Sequence, residues 1–128
     1  MTQPVSEFKS KSGLGRILPA MGYALAGLKA AAKNEHAFRQ ELVVVAIGTV
    51  FALVLPISAY QKLLLIGMLV FVLIVELFNS AIEAIVDRVS LERHPLSKNA
   101  KDMGSAAVML AIFLAVAVWV VVLFTRFY

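Results

Sequence analysis

Two stretches of the chain run long enough without a charged residue to cross a bilayer unaided: residues 42–60, 19 in number, and residues 103–125, 23 in number. Both exceed the roughly 18 apolar residues that mark a spanning helix. Between them residues 63–75 form a 13-residue apolar run, and helical periodicity continues through Glu76, Asn79 and Glu83 to Asp87. A helix entering the hydrocarbon near Tyr60 and rising about 1.5 Å per residue leaves a core of about 30 Å near Ser80. Glu76 is then expected just inside one interface, and the turns out to Arg88 form a stalk beyond it. Upstream, Leu14, Ile17, Leu18, Met21, Leu25 and Leu28 recur as a helical stripe, with Arg16 across from it and Lys29 and Lys33 at its flank. This pattern predicts an interfacial surface helix. Pro19 and Gly22 are expected to interrupt it, so its regular part should begin near Pro19, a residue tolerated in a first turn.

The pattern predicts an all-α membrane protein: an N-terminal amphipathic surface helix plus three transmembrane helices per protomer. The expected bounds within one domain are residues 1–33 for the N-terminus and surface helix, then 35–57, 60–88 and 97–126 for the spans. Composition agrees, with 61% hydrophobic and 16% charged residues against about 45–50% hydrophobic in soluble domains. At 128 residues the chain has no room for a large soluble enzyme fold. Cysteine is absent, which excludes disulfides, thiolate metal sites and cysteine nucleophiles.

Charge distribution predicts orientation. Lys9, Lys11, Arg16, Lys29, Lys33 and Arg39 precede the first span, and Arg88, Arg93, Lys98 and Lys101 lie between the second and third. Only Lys62 and Arg126 fall on the other side, so the N-terminus and the second connection are expected in the cytoplasm and the C-terminus outside. Tyr60, Phe124, Phe127 and Tyr128 suit an aromatic belt on the outer side. The first 13 residues are polar, so no cleaved signal peptide is expected.

Charges at membrane depth require a reason, since one at a helix centre costs about 2.5–3.5 kcal/mol even on insertion scales. Glu76, Asn79, Ser80, Glu83 and Asp87 share one face of a helix, because steps of three, four and seven return to the same side. Three stacked carboxylates repel one another unless a cation or proton intervenes, so the stripe invites Mg²⁺, lysine or a shared proton. The plainer reading makes Glu76 and Asn79 interhelical hydrogen-bonding groups. Lys98, Lys101, Asp102 and Ser105 form a second polar face at the same edge. Ser97, after Pro95, is expected to cap that helix and Lys98 to anchor it. Lys101 and Asp102 suit a phosphate and a metal or lysine.

A third group, NEHAFRQE at residues 34–41, precedes the first span. By spacing, Asn34 is expected to cap the helix, Glu35 to face the positive end of its dipole, and Glu35 to pair with Arg39. His36 is expected at the surface, and His94 either as a solvated loop residue or a nucleotide contact. Gly22 and Gly27 have the spacing of a P-loop, but Leu28 and Lys29 stand where Lys and Ser or Thr belong and no strand precedes them. Zincin, nucleophile-elbow and EF-hand patterns are absent. What remains, carboxylates with Mg²⁺ and a phosphate-binding lysine, is a minimal kit for phosphoryl transfer.

ELFNSAIEAIVDR at residues 76–88, followed by AKDMGSAAV at 100–108, resembles the signature of the small bacterial integral-membrane diacylglycerol kinases. Asn34-Glu35, the AFRQE block at 37–41 and, more weakly, Gly22-Tyr23 with Gly27-Leu28 extend the resemblance over about residues 15–128. It implies an ATP- and Mg²⁺-dependent kinase converting diacylglycerol to phosphatidic acid at the cytoplasmic face, built as a homotrimer with sites shared between subunits. It also implies Glu76 as general base for the lipid hydroxyl, and Glu35 and Glu83 as holders of Mg²⁺ and through it the ATP phosphates. Arg16, Tyr23, Glu92, His94, Lys101 and Asp102 would contact the nucleotide. Asn79 and Ser105 would help place the lipid hydroxyl, with Phe38, Arg39, Gln40 and Glu41 lining the lipid's path. Ala24-Leu25 stands where members often carry Ser-Trp, and Pro19 falls in a helix continuous elsewhere.

Independently of the resemblance, Ala107, Ala111 and Ala115 form a small-residue ridge suited to helix contact and hence to oligomerisation. Three other readings compete. An undecaprenol kinase would use the same polar residues on a different acceptor. A small proton-coupled transporter needs polar groups at mid-membrane, whereas these gather at one interface. A membrane assembly subunit leaves Glu83, Lys101 and Asp102 without a role.

Overall fold

The computed structural model describes residues 13–128; the polar opening segment with Lys9 and Lys11, and the signal-peptide expectation that rests on it, fall outside them. A 3₁₀ turn, Gly13–Arg16, leads into α1 (Ile17–Asn34), followed by α2 (His36–Val54), α3 (Ala59–Val89) and α4 (Pro95–Phe127). The fold is all-α. Helices α2, α3 and α4 are long and apolar enough to cross a membrane, and α1 is not among them. Neither Pro19 nor Gly22 breaks α1: Pro19 lies in the first turn, where its missing N–H has no partner to lose.

Helix α3 starts on a capping box, in which Ser58 Oγ accepts from the Gln61 N–H and Gln61 Oε1 accepts from the Ser58 N–H. The expected cap of α4 is displaced. His94, extended at its backbone, is the N-cap, and its Nδ1 accepts from the Leu96 N–H at 3.1 Å. Pro95 occupies the first helical turn, so Ser97 is already inside the helix.

Helices α3 and α4 pack antiparallel in a register readable from their contacts. Leu65 meets Val122 in one apolar cluster, and Val72 meets Ala111 and Ala115 in a second. Asn79 lies against Gly104, and Asp87 pairs with Lys101 at 2.7 Å. The buried face of α3 thus runs Leu65, Val72, Glu76, Asn79, in steps of seven, four and three. The facing residues of α4 are Gly104, Ala111, Ala115 and Val122, and three of those four are small enough to let the helices approach closely. Ala111 and Ala115 are therefore spent within the protomer, and Ala107 is exposed. The ridge expected to serve oligomerisation is chiefly an internal one.

At the α2–α3 turn the two isolated basic residues hold carbonyls. Lys62 Nζ donates to Leu53 O at 2.6 Å and Arg126 Nε to Pro56 O at 2.6 Å. Both carbonyls lie at the end of α2, where backbone acceptors lack helical donors. Trp119 stacks on Phe51 and donates its indole N–H to Leu65 O at 3.1 Å. Trp119→Phe keeps most of the packing and removes that bond, so unfolding of the purified protein in mixed micelles should cost about 0.5–1.5 kcal/mol less.

Candidate functional site

Polar groups gather at the opposite end of the bundle because the buried stripe of α3 changes character after Val75. Glu76, only 5% exposed, continues the face begun by Leu65 and Val72, and Asn79 and Ser80 follow it into the interior. Glu83, one turn beyond, is half-buried. Asn79 Nδ2 donates to Glu83 Oε1 over 3.4 Å, a long bond that links the two turns.

Glu76 is the centre of an acidic group that also includes Glu35, Glu41 and Glu83. Glu76 feels both Glu83 and Glu35, and Glu41 feels Glu76. None of the four forms a close ion pair among the described residues, where the pairs are Lys98–Asp102 at 2.5 Å and Lys101–Asp87 at 2.7 Å, although Lys101 also acts on Glu83. Like charges gathered in this way favour the arrival of a cation or a proton.

Glu35 owes its position to a break in the backbone. It is the single non-helical residue between Ile17 and Val54, with an extended conformation that closes α1 and opens α2. Asn34 is instead the last residue of α1, and Glu35 occupies the N-cap without a side-chain cap bond. The expected Glu35–Arg39 pair is also absent among the described ion pairs. Arg39 Nη1 donates to Ala32 O at 3.1 Å and Lys33 O at 2.9 Å, capping the end of α1. The Glu35 carboxylate is thereby left to the acidic group.

The residues expected around a nucleotide divide in three. Glu92, His94, Lys101 and Asp102 share the lining of a cavity of about 780 Å³ beneath the α3–α4 connection, together with Asp87, Arg93 and Lys98. Glu35 lines a separate cleft of about 550 Å³ between α1 and α3, with Asn34, Ser80 and small residues of both helices. Arg16 and Tyr23 are exposed and line neither. Among the residues expected to meet the lipid, Phe38 is buried at 1% exposure, and Arg39, Gln40 and Ser105 are exposed. Gln40 Nε2 lies 3.2 Å from His36 Nε2.

Three features escaped the reading of the sequence. Ser80 lines the α1–α3 cleft, Gly104 backs Asn79, and Asp87 holds Lys101. For Gly104 the sequence offers only its place in the AKDMGSAAV block and its being the sole glycine of α4. Glu41 Oε2, Asn79 Oδ1 and Ser80 Oγ are buried with no hydrogen-bond partner among the described residues. Such atoms each cost about 1–3 kcal/mol, and Asn79 Oδ1 among them is closed off by Gly104.

No group of three or more His, Asp or Glu residues suited to a metal cage occurs among the described residues. Mg²⁺ does not need one, since it commonly takes one or two carboxylates together with substrate phosphates and water. Glu35 and Glu83, both half-buried and both acting on Glu76, offer that donor set.

The family model described as prokaryotic diacylglycerol kinase matches residues 22–123. The chain is 52% identical over 118 residues to a diacylglycerol kinase of Pseudomonas aeruginosa, covering 92% of this chain and 96% of that protein. It is 51% identical over 116 residues to a diacylglycerol kinase of Escherichia coli K12, covering 91% and 95%. With a diacylglycerol kinase of Haemophilus influenzae the identity is 41% over 113 residues, covering 88% and 96%.

Proposed function

This chain belongs to the prokaryotic diacylglycerol kinase family, and from that premise we propose how its residues carry out the phosphorylation of diacylglycerol to phosphatidic acid. The reaction is ATP- and Mg²⁺-dependent. The observation that carries the assignment of roles is the buried Glu76 carboxylate, without a basic partner and beside Glu35, Glu41 and Glu83.

Glu76 takes the proton of the lipid's free hydroxyl as that oxygen forms its bond to the γ-phosphorus. The bond between the γ-phosphorus and the β–γ bridging oxygen breaks, and ADP leaves with the bridging oxygen. Positioning and charge neutralisation supply most of the catalysis in such transfers. Glu35 and Glu83 would hold Mg²⁺, which would supply neutralisation of the phosphate charge. Asn79 and Ser105 place the hydroxyl, and Phe38, Arg39, Gln40 and Glu41 line the lipid's approach. Arg16, Tyr23, Glu92, His94, Lys101 and Asp102 hold the nucleotide.

The site lies at the cytoplasmic face, with the N-terminus inside and the C-terminus outside, as the ten-to-two distribution of basic residues supports. The working unit is a homotrimer that shares its sites between subunits. Its support is that one chain leaves the expected nucleotide contacts scattered, with Glu92, His94, Lys101 and Asp102 on one cavity, Glu35 on another and Arg16 and Tyr23 on neither, and that α2 buries only Phe38 and Ala52.

A mixed-micelle assay with labelled ATP and Mg²⁺, offering diacylglycerol and undecaprenol in parallel, tests the substrate. Preferential labelling of diacylglycerol is expected; preferential labelling of undecaprenol would move the assignment to a polyprenol kinase with the same site. Lys101 and Asp87 give a sharper check on the nucleotide. Their ion pair is exposed and of a class worth about 0–1 kcal/mol, so Asp87→Asn should barely affect stability. It should leave KM for ATP unchanged or lower, because the ammonium is released for phosphate. Lys101→Met should raise that KM by about tenfold, the loss of one charge-assisted hydrogen bond.

A further inference from the structure

Gly104 faces Asn79 across the α3–α4 contact, and the meeting is closer than any other residue type would permit. A Cβ on Gly104 would overlap Asn79 Oδ1 and crowd Asn79 Cγ. The side chain so confined is 8% exposed, and its other amide atom donates to Glu83 while also acting on the neighbouring Glu76 carboxylate. Asn79 Oδ1 itself has no hydrogen-bond partner among the described residues. Gly104 is therefore not accommodating a backbone turn: it lies within α4, and the nearest atoms that a Cβ there would meet all belong to Asn79, its amide first.

The steric consequence is specific. The colliding atom is the tip of a side chain and not backbone, so an added methyl can be relieved by rotating Asn79 without separating the helices. Rotation removes Nδ2 from Glu83. We propose that Gly104 is a positioning residue: by offering no side chain, it lets the Asn79 amide lie against α4 with Nδ2 directed at Glu83, and so fixes the Glu83 carboxylate for Mg²⁺-nucleotide. The inference rests on the phosphotransfer reading. It adds to it a residue that touches neither substrate nor metal and acts through Asn79 alone. Partners of this kind, which orient a ligand carboxylate from behind, typically contribute about 10–100-fold in metal affinity. The 3.4 Å length of this bond places it at the lower end, about tenfold.

The test is a double-mutant cycle on the oligomer purified in micelles, using Gly104→Ala, Asn79→Ala and the combined variant. Mn²⁺ affinity in the presence of a non-hydrolysable ATP analogue is read by electron paramagnetic resonance, with Mg²⁺-dependent kinetics measured alongside. Gly104→Ala is expected to weaken Mn²⁺ binding by about tenfold, raising the Mg²⁺ requirement more than it lowers kcat at saturating Mg²⁺. Because both changes break the same link, the combined variant should be no weaker than Asn79→Ala alone. Losses that multiply would overturn the inference, as would unchanged Mn²⁺ affinity in Gly104→Ala. Should Gly104→Ala fail to fold, the combined variant decides, since the overlap is gone there. Folding with the Asn79→Ala affinity supports the inference, and continued failure overturns it. Absence of lipid phosphorylation by the wild-type protein, with the Mn²⁺ cycle still non-additive, would fault the phosphotransfer reading and leave the Gly104–Asn79–Glu83 linkage standing.

Discussion

Glu76→Gln is expected to abolish most phosphoryl transfer, by about 10²–10⁴-fold, while the protein remains folded and melts no lower than wild type. Glu76 is the most deeply buried of the acidic groups at this end of the bundle, only 5% exposed. It accepts no basic partner and sits within reach of Glu83, Glu35 and Glu41. Glutamine preserves its shape and removes one charge from a crowded set, so the structural effect is neutral or favourable. The catalytic effect is opposite in sign, because an amide cannot take the hydroxyl proton. Transfer from labelled ATP and thermal unfolding are measured on the same micelle preparation. An unchanged rate would remove Glu76 as the base; a lost rate with a large drop in melting temperature would make it a structural residue.

Glu83→Gln should produce a different deficit. Its carboxylate is half-buried, receives the Asn79 amide and acts on Glu76. The glutamine oxygen can still accept from Asn79, so what is lost is chiefly charge toward the cation. The apparent affinity for Mg²⁺-ATP should fall at least about tenfold, the scale reached even when a group behind a metal ligand is changed. Raising Mg²⁺ should recover part of the rate. Glu76→Gln should show no such recovery, and steady-state kinetics at several Mg²⁺ concentrations separate the two. A Glu83→Gln enzyme with normal Mg²⁺ dependence would contradict the metal role.

The helices and the polar stripe of α3 could be read from the sequence, because uninterrupted apolar runs and seven-residue returns are properties of one chain segment at a time. The register of α3 on α4 could not, since it depends on which small residues of one helix meet which residues of another. Ala111 and Ala115 illustrate the difficulty: their spacing announces a close contact without saying with what, and the partner is Val72 of the same chain. Side chains near helix ends misled for a related reason. Spacing of four residues brought Glu35 and Arg39 within reach, but the exposed carbonyls of Ala32 and Lys33 compete for a long guanidinium, and they hold it. Lys101 likewise has Asp102 beside it in sequence and Asp87 beside it in space. The polar stripe was thus visible in residues 76–88, while the contacts that orient it, Asn79 on Gly104 and Lys101 on Asp87, required the packed helices.

The backbone at Glu35 has a mechanical consequence. With Arg39 pinning the last carbonyls of α1 to the first turn of α2, the two helices are levers that share one pivot, and the pivot is an acidic residue. Because the Arg39 guanidinium bridges the break, α1 cannot turn about Glu35 without loosening the bonds to Ala32 O and Lys33 O.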